Sequence, residues 1–414
     1  MQKKRIVVLG GGISGMEFVT RLSSLLKSEQ YELMLIDKSE YHIWKPMLHT
    51  FAAGSAKPNE QGINFLTQAK RDGYIFNPGN VSKIDLKQRK ITLDALYDKT
   101  NKEILPERNI EFDYLVISMG SKTNDFNTKG VKEYAYPIDD LDHALDFYND
   151  LRNFIIQAAI LKEKHHVVIV GAGATGVELS GEIIYQLKQS SQYVGYDFTD
   201  YLHLTVVQSG DQILPTFEKE IGNAVKVTMN KIGINTLLSA RVKEVTKDHV
   251  YLENGAVIPA DQVAWTTGIK GDNLLQEIDG VEYSKRSQIV VTPRLQVIGF
   301  PYVFAMGDCS SVQDNSLPPT SQVATQQAYY LSRNFLKLIQ DPASVNPFDY
   351  KDYGSLISVG RYQSFGVFGH HIAIRGWVAK IAHLYLYRSH QIRILGLRRA
   401  ISAILADKFR KLSI

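Results

Sequence analysis

Cysteine is almost missing from this sequence. With Cys309 alone among 414 residues, no disulfide can close within the chain. The paired thiols that a dithiol relay needs are also absent. Disulfide reduction, and sulfide oxidation through a protein disulfide, are thereby excluded, and Cys309 reads as a small buried residue. Long apolar runs are lacking too. No window of about 18 uncharged apolar residues occurs, which argues against a membrane-spanning helix. Met1–Arg5 runs straight into a strand rather than into the apolar segment of a signal peptide, so an intracellular location is expected. No spacing suits a Ser-His-Asp nucleophile or a metal. The adjacent pairs His165-His166 and His370-His371 read as strand-start or turn residues, and no metal site is expected. Acids are scarce in one place: residues 375–414 hold nine Lys or Arg and a single acid, Asp407. That surplus of eight, in a chain of net charge +4, leaves −4 on the rest. The basic surface is therefore local, and no nucleic-acid partner is expected.

Two glycine turns dominate what is there. The first, Gly10-Gly11-Gly12-Ile13-Ser14-Gly15, follows the β-branched run Ile6–Leu9. The second, Gly171-Ala172-Gly173-Ala174-Thr175-Gly176, follows Val167–Val170. In G-x-G-x-x-G the first glycine permits the turn and the second lets a pyrophosphate approach the backbone. The third lets helix and strand pack closely, with the phosphate at the helix N-terminus. One such match is weak, but two in order suggest two dinucleotides facing each other, one reducing the other. Leu33–Ile36 reads as the next strand. It ends at Asp37, 22 residues after Gly15, near the roughly 20 expected for an acid that bonds ribose hydroxyls.

Further along, Tyr41–Gly54 is an aromatic loop suited either to a flat ring or to ordinary core. Leu86–Arg108 reads as a polar hairpin and Tyr114–Gly120 as a buried strand. Asp139–Leu161 reads as one helix with apolar positions at a 3.6-residue period. Val177–Leu187 and Phe217–Lys231 read as helices, Leu204–Val207 as a strand and Leu237–Leu252 as a meander. Strands return at Ile289–Val291 and Val303–Asp308, and a helix runs from Ser321 to Ile339. The prolines of Gln340–Asp349 mark a boundary.

Together these residues resemble the two-dinucleotide-domain flavoprotein reductases. Gly10, Gly12, Gly15 and Asp37 match that family's first motif. Gly171, Gly173 and Gly176 match the second, and Phe304-Ala305-Met306-Gly307-Asp308 matches its late strand-A-x-G-D. The resemblance implies an α/β fold of two Rossmann-like domains. FAD would lie at the first turn, with Asp308 on its ribitol chain, and a nicotinamide at the second. It extends FAD binding to Lys45, Pro46, Gly120 and Gly307, and nicotinamide binding to Glu178, Gln208 and Gly268.

Within that group the chain is similar to the type II NADH:quinone oxidoreductases. Three features carry this: Glu178, two residues past Gly176; Ser321-Gln322-Val323-Ala324-Thr325-Gln326, similar to A-Q-x-A-x-Q; and the basic aromatic tail with Arg375-Gly376-Trp377 and His383-Leu384-Tyr385. The resemblance implies catalytic roles for Glu178, Gln322 and Gln326, and quinone binding by Gln322, Gln326 and Arg375. Glu178 is read as a proton carrier or a nicotinamide contact. The sequence departs from the family at Ser321, in place of Ala, and at Arg375, where Lys is frequent. It also has Gln208 where NADH-specific members have an acid. Gln208 would remove the repulsion of a 2′-phosphate, so NADPH is admitted beside NADH.

The expected architecture is an FAD domain of residues 1–118 and 286–345, an NAD(P)H domain of 119–285 and a helical membrane module of 346–414. In the tail, Leu397, Ile401, Ile404, Leu405, Phe409 and Leu412 mark one apolar face, with Arg398, Arg399, Lys408, Arg410 and Lys411 toward the other. Trp377, Tyr385 and Tyr387 suit a headgroup layer. The tail is therefore expected to lie on an anionic membrane surface, at the cytoplasmic face of the inner membrane if the source is bacterial. A homodimer is left open. The rivals are a soluble reductase of a small iron–sulfur protein and a redox-sensing NADH-binding flavoprotein.

Overall fold

The computed structural model describes residues 3–27, 29–194, 197–368 and 372–412. His370 and His371, read above as turn residues, lie outside them. The chain opens with β1 (Lys4–Leu9), crosses through α1 (Ile13–Ser23) and returns in β2 (Tyr31–Asp37) parallel to β1, with Ile6 opposite Leu33 and Leu9 opposite Ile36. Ile6, Val7, Val8 and Leu9 are wholly buried, as a strand covered on both faces must be. β3 (Tyr114–Ile117) pairs with β1 on the other side, Val8 opposite Val116. Late in the chain β7 (Phe300–Ala305) joins β3, completing an eight-stranded sheet from residues 4–117 and 289–312.

A second, five-stranded parallel sheet comes from the chain between. α2 (Leu141–Leu161) is capped by Asp140, whose carboxylate accepts from the His143 N–H at 3.1 Å. β4 (His165–Val170), α3 (Ala174–Val194), β5 (Leu202–Val207) and β6 (Gln262–Trp265) repeat the first unit's order. Where the chain leaves and re-enters this unit, Lys122–Thr123 pairs with Ile269–Lys270. α4 (Ser321–Leu338) packs on α1, with the Phe18 and Phe335 rings edge to face at 5.6 Å. The stretch expected as one hairpin is more elaborate. Strands at 81–85, 90–93 and 108–111 form a three-stranded sheet, and a two-stranded finger projects from it.

The C-terminal region is not wholly helical. It begins with a meander of β8 (Ser355–Val359), β9 (Gln363–Phe368) and β10 (Ile372–Arg375). Ile357, Val359 and Phe365 alternate into the core, a period of two too short to stand out in a single sequence. α5 (Trp377–Leu395) and α6 (Leu397–Leu412) follow. α5 is docked through Ala379, His390, Gln391 and Ile394, a face that mixes polar and apolar side chains. Its last carbonyls, on Ile394 and Leu395, accept from Gln68 and Arg71 at 2.6–2.9 Å. The opposite side carries exposed Trp377, Ile381, Leu384 and Tyr385, continued on α6 by Leu397, Ile401, Leu405 and Phe409. The side chains of Lys408, Arg410, Lys411 and Leu412 lie outside the described ones. No helix among the described residues is long and apolar enough to cross a membrane.

Candidate active site

The two glycine turns are built alike. A Cβ on Gly15 would collide with the Gly10 carbonyl oxygen, and one on Gly176 with that of Gly171. Only glycine lets α1 and α3 approach their strands so closely. A Cβ on Gly12 or Gly173 would instead meet nothing within 4 Å. The middle glycine of each turn therefore faces open space, where a pyrophosphate would lie against backbone N–H groups. The donor set and the open space fit a dinucleotide at each turn.

The strand-end acceptors match as well. Asp37 Oδ2 accepts from the Gly11 N–H at 2.6 Å and Oδ1 from Ser39 at 2.8 Å. Burial raises its pKa against those donors. In the second unit Gln208 Oε1 accepts from the Ala172 N–H at 3.0 Å. The glutamine thus makes the bond to the turn that a carboxylate would make, and presents an amide NH2 where an acid would present charge.

Around the first turn, Lys45 Nζ donates to the Ser121 carbonyl at 3.0 Å, and Ser121 Oγ donates to Asp308 Oδ2 at 3.1 Å. The Gly307 N–H is held by Gln327 at 2.6 Å, and Gln288 by the Asp308 carbonyl at 2.9 Å. Lys45, Pro46 in the short turn 45–47, Gly120 and Gly307-Asp308 thus gather at the C-terminal ends of the first sheet's strands. Gly268 lies past the end of β6, beyond the Thr266 side chain that bonds the Val170 and Gly171 carbonyls. Cys309 is buried, its thiol pushed up to about 12, which disqualifies it as a nucleophile at neutral pH.

Glu178 is buried in the first turns of α3. Burial pushes its carboxyl up to about 8, opposed by the Ser358 N–H, which donates to Oε1 at 3.2 Å, and assisted by nearby Glu182. It is therefore protonated at neutral pH. His49 Nδ1 stands 3.5 Å from Oε2; burial holds this imidazole neutral, down to about 3. Ser358 Oγ bonds Ser364 Oγ at 2.8 Å and His383 Nδ1, on α5, at 3.3 Å. The meander reaches Glu178 because Gly181 has no side chain: a Cβ there would strike the backbone of Val359 and Gly360. His49 and Ser358 carry no local mark in the sequence, and His383, notable there only as part of the aromatic tail, is brought to Ser358 by the fold.

Gln322 and Gln326 do not present free amides. Gln322 accepts from the Tyr353 N–H at 2.7 Å and donates to the Gly354 carbonyl at 3.2 Å. Gln326 accepts from Lys351 N–H at 3.0 Å and donates to its carbonyl at 2.8 Å. One helical turn apart, they lash the strap 351–354 to α4. Arg375 is exposed at the end of β10, next to the apolar outer face of α5.

Known proteins resemble this chain in sequence and in fold. The family of pyridine nucleotide-disulphide oxidoreductases matches residues 4–328. A type II NADH:quinone oxidoreductase of Haemophilus influenzae is 30% identical over 99% of this chain and 98% of its own. One from Staphylococcus aureus is 28% identical over 90% and 91%. The structure of NDH2 from Plasmodium falciparum in complex with NADH superposes with a TM-score of 0.82 at 21% identity, covering 95% of this chain and 98% of that one, a likeness of fold.

Proposed function

This chain belongs to the pyridine nucleotide-disulphide oxidoreductases and, within them, to the type II NADH:quinone oxidoreductases, and from that membership we propose the division of labour that follows. The enzyme oxidises NADH at the second turn and reduces a quinone through FAD at the first. FAD, when bound, supplies the two-electron chemistry between nicotinamide and quinone. The protein holds the two dinucleotides by the matched turns, with Asp37 and Gln208 at the riboses and Asp308, Lys45 and Gly120 along the FAD. The observation that carries this reading is the duplication: two turns, each with an open middle glycine and a strand-end side-chain acceptor on the turn's second residue.

Reaction of NADH and quinone to NAD+ and quinol takes up one proton from the medium. Glu178, held protonated in a buried site beside His49, is the group suited to deliver it. Gln322 and Gln326 act by fixing the strap 351–354 and so shape the quinone side, while Arg375 stands where that side opens toward the apolar face of α5. That face, with Trp377 and Tyr385 at headgroup depth and Arg398 and Arg399 beside it, lies on an anionic membrane surface. Each cation there contributes about 1 kcal/mol. In a bacterium this is the cytoplasmic face of the inner membrane. Steady-state assay of purified protein with NADH or NADPH, against quinones of differing head group, tests the reading. Absence of quinone turnover in a protein whose FAD is reduced by NADH would refute it and favour the soluble acceptor.

A further inference from the structure

A buried chain of hydrogen bonds runs from α5 into the first glycine turn. Glu17 of α1, 1% exposed, accepts at Oε1 from Arg393 Nε at 2.9 Å and from Thr325 Oγ1 at 3.2 Å, and His390 Nδ1 lies 3.3 Å from the same oxygen. His390 Nε2 is 2.9 Å from His42 Nε2, and His42 Nδ1 is 2.7 Å from the Gly11 carbonyl oxygen. Both histidines are buried, and the Trp44 ring stacks on His390 at 5.8 Å. His390 and Arg393 belong to the tail helix, whereas Gly11 sits in the turn itself.

The direction of the chain follows from chemistry. A carbonyl oxygen only accepts, so His42 Nδ1 carries a hydrogen. Burial first, then neighbouring His390, holds His42 neutral, down to about 3, so its Nε2 is bare and accepts from His390 Nε2–H. Burial also lowers the His390 pKa, so its Nε2 carries the single hydrogen and its Nδ1 faces the Glu17 carboxylate without a hydrogen bond. The Gly11 carbonyl is thereby pulled inward. In a trans peptide the next N–H points the opposite way. That N–H belongs to Gly12, the middle glycine with open space before it. The Gly11 N–H is held by Asp37 on the other side, so the peptides on both sides of Gly11 are oriented by side chains.

We propose that His42 and His390 are positioning residues for FAD: the tail helix, through His390 and His42, sets the Gly11–Gly12 peptide so that the Gly12 N–H meets the FAD pyrophosphate. The C-terminal helix is then part of the cofactor site as well as a surface for attachment. The inference rests on reading the first turn as the FAD site, which purified parent protein without FAD would overturn separately.

The test is FAD release from holoenzyme, followed as the fluorescence of free FAD after dilution. His42→Ala and His390→Ala should release FAD about tenfold faster, because a buried carbonyl loses its donor or that donor loses its anchor. His42→Asn places an amide N–H where Nδ1–H stood, and His390→Gln places one where Nε2–H stood. Both should return release to within about threefold of the parent. Arg388→Ala breaks the 2.7 Å bridge from α5 to Asp407 and the 2.7 Å bond to Gln391 within α5, but touches neither His390 nor His42, and should leave release unchanged. Release unchanged in His390→Ala would overturn the proposal. Equal acceleration in His390→Ala and His390→Gln would also overturn it, because it would mean that α5 acts by bulk packing. If His42→Ala does not fold, the His390 pair decides alone.

Discussion

Glu178→Gln should stabilise the protein while slowing it, and both effects should vary with pH in a stated way. The Glu178 carboxyl titrates at about 8 in the fold against an ordinary value of 4.5. Below 4.5 it is protonated folded or unfolded, and its relative contribution is fully present. Between 4.5 and 8 the unfolded chain releases this proton and the folded one keeps it, so stability falls with rising pH by about 1.36 kcal/mol per unit. At pH 7 the accumulated loss is roughly 3 kcal/mol, and above pH 8 it levels near 5 kcal/mol. Glutamine does not ionise, fits the same space and still accepts from the Ser358 N–H. The melting temperature of the Glu178→Gln holoenzyme should therefore match the parent near pH 4.5 and exceed it increasingly up to pH 8. In the same variant, reduction of FAD by NADH should persist. Quinone reduction should be slow at every pH, whereas in the parent it falls as pH rises through about 8. A melting-temperature difference that is flat between pH 5 and 8 would refute the buried, protonated carboxyl. An unaltered quinone rate would refute its role in proton delivery.

Gly173→Val fills the space over the second turn and should leave FAD bound but block its bleaching by NADH, while Asp37→Ala should weaken FAD retention; absorbance before and after anaerobic NADH separates the two. Gln208→Glu keeps the acceptor for the Ala172 N–H but adds a charge against a 2′-phosphate. It should raise the ratio of kcat/KM for NADH over NADPH about tenfold or more, and an unmoved ratio would show that the position does not read the ribose. Removing residues 396–414 deletes α6 but spares the Arg71 and Gln68 bonds to the end of α5. The shortened protein should keep FAD and reduce a short soluble quinone, yet no longer sediment with anionic vesicles. Failure of the full chain to bind such vesicles at low salt would overturn the membrane reading.

Local pattern alone determined the dinucleotide units. Strand, glycine turn, helix and strand are contiguous, and the reasons for glycine at 15 and 176 are steric contacts with the turn's own carbonyls. Such contacts repeat wherever the turn repeats, so spacing reveals them. Asp37 and Gln208 were legible for the same reason, each closing a unit of fixed length. The apolar stripe of the tail was legible from its period, although its exposure was not, because a period says that a helix has two faces and not which one meets protein. The chemistry around Glu178 was decided only by tertiary structure. A carboxyl near the start of a helix reads as an exposed, ionised group until the meander 355–375 covers it and His49 and His383 close in from distant segments. Gln322 and Gln326 likewise change from free donors to fasteners once the strap lies across them. In the chain from His390 through His42 to Gly11, the first link joins residues 348 positions apart, and the Arg393–Glu17 bond beside it joins residues 376 apart. Hydrogen-bond direction and burial depend on which groups face each other in space, and for pairs this far apart in the chain only the fold brings them together.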